Sequence, residues 1–385
     1  MEVTLIGSGF AALAAIHRLR QLDPGRRIKI TMVAPRAEFV YLPSLIWIPS
    51  GMRKGSDLRV DLQGFLDRMG VDFHAGSARE IQDGGRSVVT STGVVANDAL
   101  LIASGAEYLQ KIPGVGHTLN PCSGIAAVDM VRRRIQTLER GVIAMGFGGN
   151  PHEPTAIRGG PMFEFLFGLH TQLRRERRRG AFKLVFFAPM AEPGKRMGPR
   201  AVGGLLKAMA KRNIYAHLGH KITAFEPQRV STEGGDIPAD LVLFLPGLTG
   251  PSWLAKTGLA LSPGGFLQAD AQGRVAGGER VYVAGDAGSF PGPEWRAKQG
   301  HMAELQARAA ASNIYAELTG HAAQHTFRTE LICIVDTLNQ GMLVSRFKRF
   351  SLILPPTPLM HWVKEWLEWR ALRPFRSFGK DTSLR

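Results

Sequence analysis

Near its amino terminus the chain reads Val3-Thr4-Leu5-Ile6-Gly7-Ser8-Gly9-Phe10-Ala11-Ala12. Four strand-forming residues run into a G-x-G-x-x-A turn, which opens a helical stretch from Leu13 to Leu22. Pro24-Gly25 stops that helix, and Ile28 to Val33 alternates as a second strand. Strand, glycine turn, helix and strand together read as a βαβ unit with a dinucleotide-binding turn. Gly7 and Gly9 let the backbone close on a pyrophosphate, whose charge settles at the positive end of the helix. The second strand ends Met32-Val33-Ala34-Pro35, without the acid that commonly holds an adenosine ribose. That departure weakens a generic NAD reading and leaves FAD.

Two distant segments point the same way. Leu100-Leu101-Ile102-Ala103-Ser104-Gly105 is an apolar strand ending in a small-residue turn, and Val281-Tyr282-Val283-Ala284-Gly285-Asp286 is a later one ending in Gly-Asp. In flavoproteins with two dinucleotide-binding domains such turns return to the FAD, and Asp286 is expected on a ribityl hydroxyl. Between them, Val142 to Met145 forms a strand that runs into Gly146-Phe147-Gly148-Gly149-Asn150-Pro151. A nicotinamide pyrophosphate needs a glycine turn leading directly into a helix. Pro151 and Pro154 interrupt here, so the second domain is expected to keep the fold without NAD(P)H.

Composition bounds the rest. With 44% hydrophobic and 21% charged residues over 385 positions, the chain is a folded globular protein of two or three domains. Cys122 and Cys333 are too few for a disulfide framework. No signal-like segment or spanning apolar run is read, and no metal-ligand cluster stands out. Lys and Arg total 48 against 32 Asp and Glu, an excess of 16 that favours anionic partners. Part of it is the run Arg174-Arg175-Glu176-Arg177-Arg178-Arg179, read as a solvated helix end. No recognition fold accompanies the charge, so nucleic acid is not an expected partner.

Further motifs identify a family. Glu38-Phe39-Val40-Tyr41-Leu42-Pro43-Ser44, Gly160-Pro161-Met162-Phe163-Glu164, Ala297-Lys298-Gln299-Gly300-His301-Met302 and Cys333-Ile334-Val335-Asp336 occur in order. With His361, Lys364 and Glu368 near the carboxyl end, the chain resembles the sulfide:quinone oxidoreductase and flavocytochrome c sulfide dehydrogenase branch of the two-dinucleotide-domain flavoproteins. The resemblance implies an α/β fold with two Rossmann-like domains: an FAD domain at 1–113 and 262–320, an inserted second domain at 114–261, and a C-terminal region at 321–385 with a redox cysteine and an amphipathic helix. It implies FAD on Gly7, Ser8, Gly9, Phe10, Ala11, Ala34, Pro35, Arg36, Pro43, Ala78, Ala103, Ser104, Gly105, Gly285, Asp286, Lys298, Gln299 and Gly300. It also implies electron flow from a sulfur-containing donor to quinone.

One position departs from the family. Members that oxidise sulfide carry a redox cysteine six residues before the motif glutamate, where this chain has Arg158. Cys333 keeps the other place of that pair, and Cys122 matches a third family cysteine near the flavin edge. The candidate catalytic residues are therefore Cys333, Cys122, Glu164 and Arg158. Cys333 is either a reactive thiol or a small buried hydrophobe in Leu331-Ile332-Cys333-Ile334-Val335. Arg158 either lowers its pKa, binds an oxyanion, or salt-bridges Glu164. Glu164 is either a proton shuttle or an ion-paired residue. Lys298, beside a helix start at Gly300, is expected to face the flavin pyrimidine.

The tail supplies the last clue. Leu359, Trp362, Val363, Trp366 and Trp369 fall on one helical stripe, following Leu352-Ile353-Leu354-Pro355-Pro356. Such a stripe, flanked by Arg and Lys, suits either a helix in a headgroup layer over 352–373 or a homo-oligomer contact. The expected setting is peripheral, on the cytoplasmic face of a bacterial inner membrane. Rival readings are an NAD(P)H:quinone reductase and a non-catalytic flavin-containing sulfur-binding partner.

Overall fold

A computed structural model describes residues 1–376, so the last nine residues of the expected C-terminal region lie outside it. Along the chain, β1 (Glu2–Ile6) leads into helix α1 (Phe10–Leu22), followed by β2 (Lys29–Ala34), β3 (Val71–Ala75) and β4 (Ala99–Ile102). Helix α2 (Ile125–Thr137) and β5 (Gly141–Phe147) follow, then α3 (Gly160–Arg175), β6 (Phe182–Ala188), β7 (Ile214–Leu218) and β8 (Leu241–Leu245). The chain returns through β9 (Val281–Val283) and helix α4 (Gly300–Leu318). It ends in β10 (Leu331–Asp336), β11 (Gly341–Arg346), β12 (Ser351–Ile353) and helix α5 (Pro358–Leu372).

Two parallel sheets organise these elements. The first runs β9-β4-β1-β2-β3, with Val3 beside Ile30 on one side and Ala99 on the other. The second runs β7-β6-β5-β8. Strands buried on both faces explain the continuous apolar runs of Leu100 to Ile102, Phe186 to Ala188 and Leu241 to Leu245. The late strand of the first sheet comes from beyond the second sheet, as an inserted unit requires. A three-stranded antiparallel sheet, β10-β11-β12, closes the chain, with Cys333 opposite Val344 and Leu331 opposite Arg346.

Alanines bring the two nucleotide-facing helices together. Helix α1 buries Ala11, Ala12, Ala15, Ile16 and Leu19, and α4 buries Ala303, Ala307, Ala310 and Ala311 in the same core. Small side chains at helical spacing let the two axes approach, so both N-termini arrive at the edge of the first sheet. Gly285, at φ +77°, fits there because a Cβ would meet Ala303 at 3.3 Å and Ala11 at 3.4 Å.

The arginine run is not simply solvated. Arg179 donates to the Phe182 carbonyl at 2.6 Å and to His170 Nδ1 at 3.0 Å, and Arg178 donates to the Ile135 carbonyl at 3.0 Å. These guanidinium groups tie α3 to its neighbours. Their fork of donors suits several carbonyls at once, which the sequence run does not reveal.

Candidate functional site

A cleft of about 2000 Å³ lies between the two parallel sheets and the C-terminal sheet and helix. Its floor is the dinucleotide turn. Gly7 stands at φ +122°, where an added Cβ would lie 2.3 Å from the Ala103 carbonyl oxygen, so only glycine lets β1 turn beneath β4. Gly9 precedes α1, and nothing lies within 4 Å of where its Cβ would stand. Neither α1 nor α4 has a side-chain cap bond at its N-terminus or an acidic residue in its first turn. Ser104 Oγ and Gln299 Nε2 are buried without partners. Open helix ends, an open glycine and the unpartnered Gln299 amide on the cleft lining fit a dinucleotide with a pyrophosphate and a polar ring edge.

Of the residues expected around FAD, Gly9, Phe10, Ala11, Pro43, Ala103, Gly105, Gly285, Asp286, Lys298, Gln299 and Gly300 line this cleft. Gly7 stands behind the wall, its N–H donating to the Val33 carbonyl at 2.8 Å. Ser8, Ala34, Pro35, Arg36, Ala78 and Ser104 are not among the residues that line it. Lys298, expected beside the flavin pyrimidine, lines the cleft with its ammonium held by backbone. Its ammonium donates to the carbonyls of Asp286 at 2.9 Å and Gly288 at 2.7 Å and lies 3.8 Å from the Phe266 ring centroid. Burial pulls it down to about 8, opposed by the nearby Asp286 carboxylate.

The four candidate catalytic residues, Cys122, Arg158, Glu164 and Cys333, all line the cleft. Arg158 corrects the sequence reading. Its guanidinium pairs with Asp286 and donates to the Tyr108 hydroxyl at 3.3 Å, contacting neither Glu164 nor Cys333. The missing information was the fold's own: Arg158 and Asp286 are 128 residues apart. Burial pushes the Cys333 thiol up to about 12, with the Glu164 charge adding to the rise. The Cys122 thiol is likewise pushed up to about 12 by burial, and here Arg158 opposes the rise. Arg158 thus acts on Cys122; of the roles expected for it, lowering the Cys333 pKa and pairing with Glu164 are not seen.

Glu164 is the centre of a buried polar network on the far wall. Its carboxylate accepts from Lys364 Nζ and from the Asp336 backbone N–H at 2.9 Å. Asp336 in turn accepts from the Trp47 indole at 3.0 Å and bonds His361 Nδ1 at 2.6 Å. Burial raises the Glu164 carboxyl to about 7 against the pull of Lys364. Arg53 donates to Glu368 at 2.8 Å and to Glu365 at 3.3 Å, with its charge over Trp47 at 5.0 Å. Sequence reading picked out His361, Lys364 and Glu368 but missed Trp47, Arg53 and Asp336 as their partners. Asp336 is marked only as the end of the Cys333 motif, and Trp47 sits in an apolar run where nothing marks a residue as polar scaffolding.

These contacts invert helix α5. Its buried residues are His361, Lys364, Glu368 and Leu372, whereas Leu359, Trp362, Trp366 and Trp369 are 59, 63, 49 and 50% exposed. Val363, placed on the tryptophan stripe by its spacing, lines the cleft instead with Met360 and Leu367.

Known proteins share this fold. The sulfide:quinone oxidoreductase of Aquifex aeolicus superposes with a TM-score of 0.88 over 97% of this chain and 91% of its own, at 22% identity. This chain has the sulfide:quinone oxidoreductase fold. In sequence it is 26% identical to the Aquifex aeolicus sulfide-quinone reductase over 363 residues, covering 87% of this chain and 81% of that protein. It is 24% identical over 364 residues to the Mycobacterium tuberculosis type II NADH:quinone oxidoreductase, covering 83% and 73%. Residues 183–309 match the family described as pyridine nucleotide-disulphide oxidoreductase. The resemblance to sulfide:quinone oxidoreductases read from the motifs therefore extends over most of the chain, and the α/β fold expected from it is the one observed. Among the described residues no cluster of metal-ligating side chains occurs, and no helix is long and apolar enough to cross a membrane.

Proposed function

We propose that this protein is an FAD-dependent oxidoreductase that takes electrons from a sulfur-containing donor and delivers them to quinone at a membrane surface. The observation carrying this reading is that one continuous cleft holds the dinucleotide cradle, the Cys333 wall and the apolar lining of α5. The bound flavin would accept two electrons at one place and release them at another.

Each wall has its own task. Gly9, Gly105 and the open N-termini of α1 and α4 hold the cofactor's phosphates and ring edge. Cys333 and Cys122 face the donor, and their high thiol pKa values call for deprotonation by substrate or by a change in local charge. Tyr41, Ile46, Met360, Val363 and Leu367 offer an apolar wall for a quinone ring. Glu164, held near neutrality beside Lys364, is placed to hold or move a proton there. The outward tryptophans of α5 support membrane contact, since an aromatic face backed by buried charges has no apolar core to join. Contact on the cytoplasmic face belongs to the same proposal.

The geometry disfavours the nicotinamide alternative. After β5 the chain turns at Asn150, whose amide donates to the Leu248 carbonyl at 2.9 Å, and α3 begins only at Gly160. A Cβ on Gly247 would lie 2.3 Å from the Gly149 carbonyl carbon, so this loop packs into the corner where a pyrophosphate would rest. The test is anaerobic: the holoprotein's absorbance is followed during titration with sulfide, polysulfide, thiosulfate and NADH, then with a short-chain quinone. Bleaching by a sulfur donor and recovery with quinone is expected. Bleaching by NADH alone overturns the reading.

A further inference from the structure

The arginines on the donor side fall into two groups. Arg296 lies 3.7 Å from Glu153, and Arg158 pairs with Asp286. Arg196 and Arg346, among the described residues, meet no carboxylate in a salt bridge. Arg196 donates to the carbonyls of Pro154 and, at 3.5 Å, Ile157. Arg346 donates to the Arg196 carbonyl at 2.8 Å, with its guanidinium 5.0 Å from the Trp295 ring centroid. Carbonyls satisfy N–H donors, yet they leave a full positive charge uncancelled.

That charge is also held in an unfavourable place. Burial, then repulsion from Arg296, lowers Arg196 to about 10, with Glu153 opposing. The other acids of this rim do not relieve it: Glu192 is bound to Lys195 at 2.9 Å, and Glu294 is exposed. Both guanidinium groups are partly buried and have no carboxylate partner, so a ligand anion entering the cleft would find a charge-assisted, forked donor set there.

Strand register sets the pair beside the thiol. Leu331 faces Arg346 and Cys333 faces Val344, so Cys333 and Arg346 lie diagonally on one sheet face. Such neighbours stand roughly 7–8 Å apart at Cα. Both residues and Arg196 line the same cleft.

We propose that Arg196 and Arg346 bind the anionic group of the reducing substrate, a sulfur compound that carries a second, non-reacting sulfonate or carboxylate. Its sulfur lies toward Cys333 and its anion toward the two arginines. A single hydrosulfide ion is too small to use both ends of this diagonal. The inference rests on the Cys333 wall being the donor side of the proposed oxidoreductase. It also gives a reason for a lone thiol here: part of the recognition that a second sulfur would supply is carried by charge.

The test measures binding and needs no turnover. Oxidised holoprotein is titrated calorimetrically at low salt with thiosulfate, with 3-mercaptopropionate, and with neutral 2-mercaptoethanol. The expected result is one anion per chain, no binding of the neutral thiol, and at least about tenfold weaker anion binding in Arg196→Met. Arg196→Lys should retain most of the affinity. Tighter binding of thiosulfate assigns the site to sulfonates, and tighter binding of 3-mercaptopropionate to carboxylates. Arg346→Met is the second variant, with melting temperature and bound FAD checked because Arg346 also holds the loop of Arg196. Unchanged anion affinity in Arg196→Met, or equal affinity for the neutral thiol, overturns the inference. Quinone reduction with hydrosulfide alongside such a result would leave the proposed function standing. Absence of quinone reduction with every donor, alongside arginine-dependent binding, would sink the function and not the site.

Discussion

Lys364 on α5 and Glu164 on α3 form a buried pair across 200 residues of sequence, and the same carboxylate caps the Asp336 N–H of β10. One side chain thus joins three elements around the cleft. Burial raises Glu164 from the ordinary 4.5 to about 7, so the folded protein keeps a proton that the unfolded chain releases. Between about pH 4.5 and 7 this group makes stability fall as pH rises. Glu164→Gln should flatten that slope in denaturant melts and, above about pH 7 where Glu164 is charged, lower stability by about 3–5 kcal/mol, since Lys364 is left buried without its counter-ion. Adding Lys364→Met should restore much of the loss.

The two glycines of the first turn should separate folding from cofactor binding. Gly7→Ala places a methyl 2.3 Å from the Ala103 carbonyl oxygen at φ +122° and should destabilise the protein by about 1–3 kcal/mol. Gly9→Ala meets nothing within 4 Å of the protein itself. It should leave melting within about 0.5 kcal/mol of wild type, yet weaken retention of FAD. Melting curves and the flavin absorbance after gel filtration check the pair.

Both thiols should be sluggish in the folded state. With Cys122 and Cys333 each pushed up to about 12, native alkylation by iodoacetamide at about pH 8 should run at least about a hundredfold slower than in the unfolded chain. Mass spectrometry of timed samples reads the result. Rapid modification of Cys333 alone would show that its charge environment differs from the one described.

NADH should bleach the flavin slowly or not at all. The Asn150 turn and the Gly247 contact occupy the corner after β5, so no helix start greets a nicotinamide pyrophosphate there. Stopped-flow bleaching within milliseconds at micromolar NADH would contradict this.

Replacing Trp362, Trp366 and Trp369 together by Ser should cut co-sedimentation with anionic liposomes by at least about tenfold. Melting should move little, because all three rings are about half exposed or more. Deleting the whole tail is a poorer experiment, since α5 buries His361, Lys364 and Glu368 and its loss would strand Glu164 and Arg53.

What could be read from the sequence was local. The glycine turn at Gly7, the Ala-Gly-Asp strand end at Asp286 and the alanine-rich α4 each carry a signal within a few residues, and each lies at or just behind the wall of one cleft. The direction of a long polar side chain is not local. Lys298 turning onto two carbonyls, Arg158 reaching Asp286 and Arg53 reaching Glu368 depend on what the fold brings near. Helix α5 shows the limit most clearly. Its spacing separates an aromatic stripe from a charged one, but which stripe faces inward is decided by Trp47, Asp336 and Glu164, all outside it.

With His361, Lys364 and Glu368 turned inward, α5 has adjoining faces that meet different surroundings. Met360 and Val363 line the inner chamber, Leu367 stands at its mouth, 40% exposed, and Trp362 and Trp366 point outward. A helix is only about 10–12 Å across with its side chains. Under the proposed membrane contact, that thickness would be the whole journey for a greasy acceptor dissolved among lipid tails: past one helix sideways, without ever being wetted.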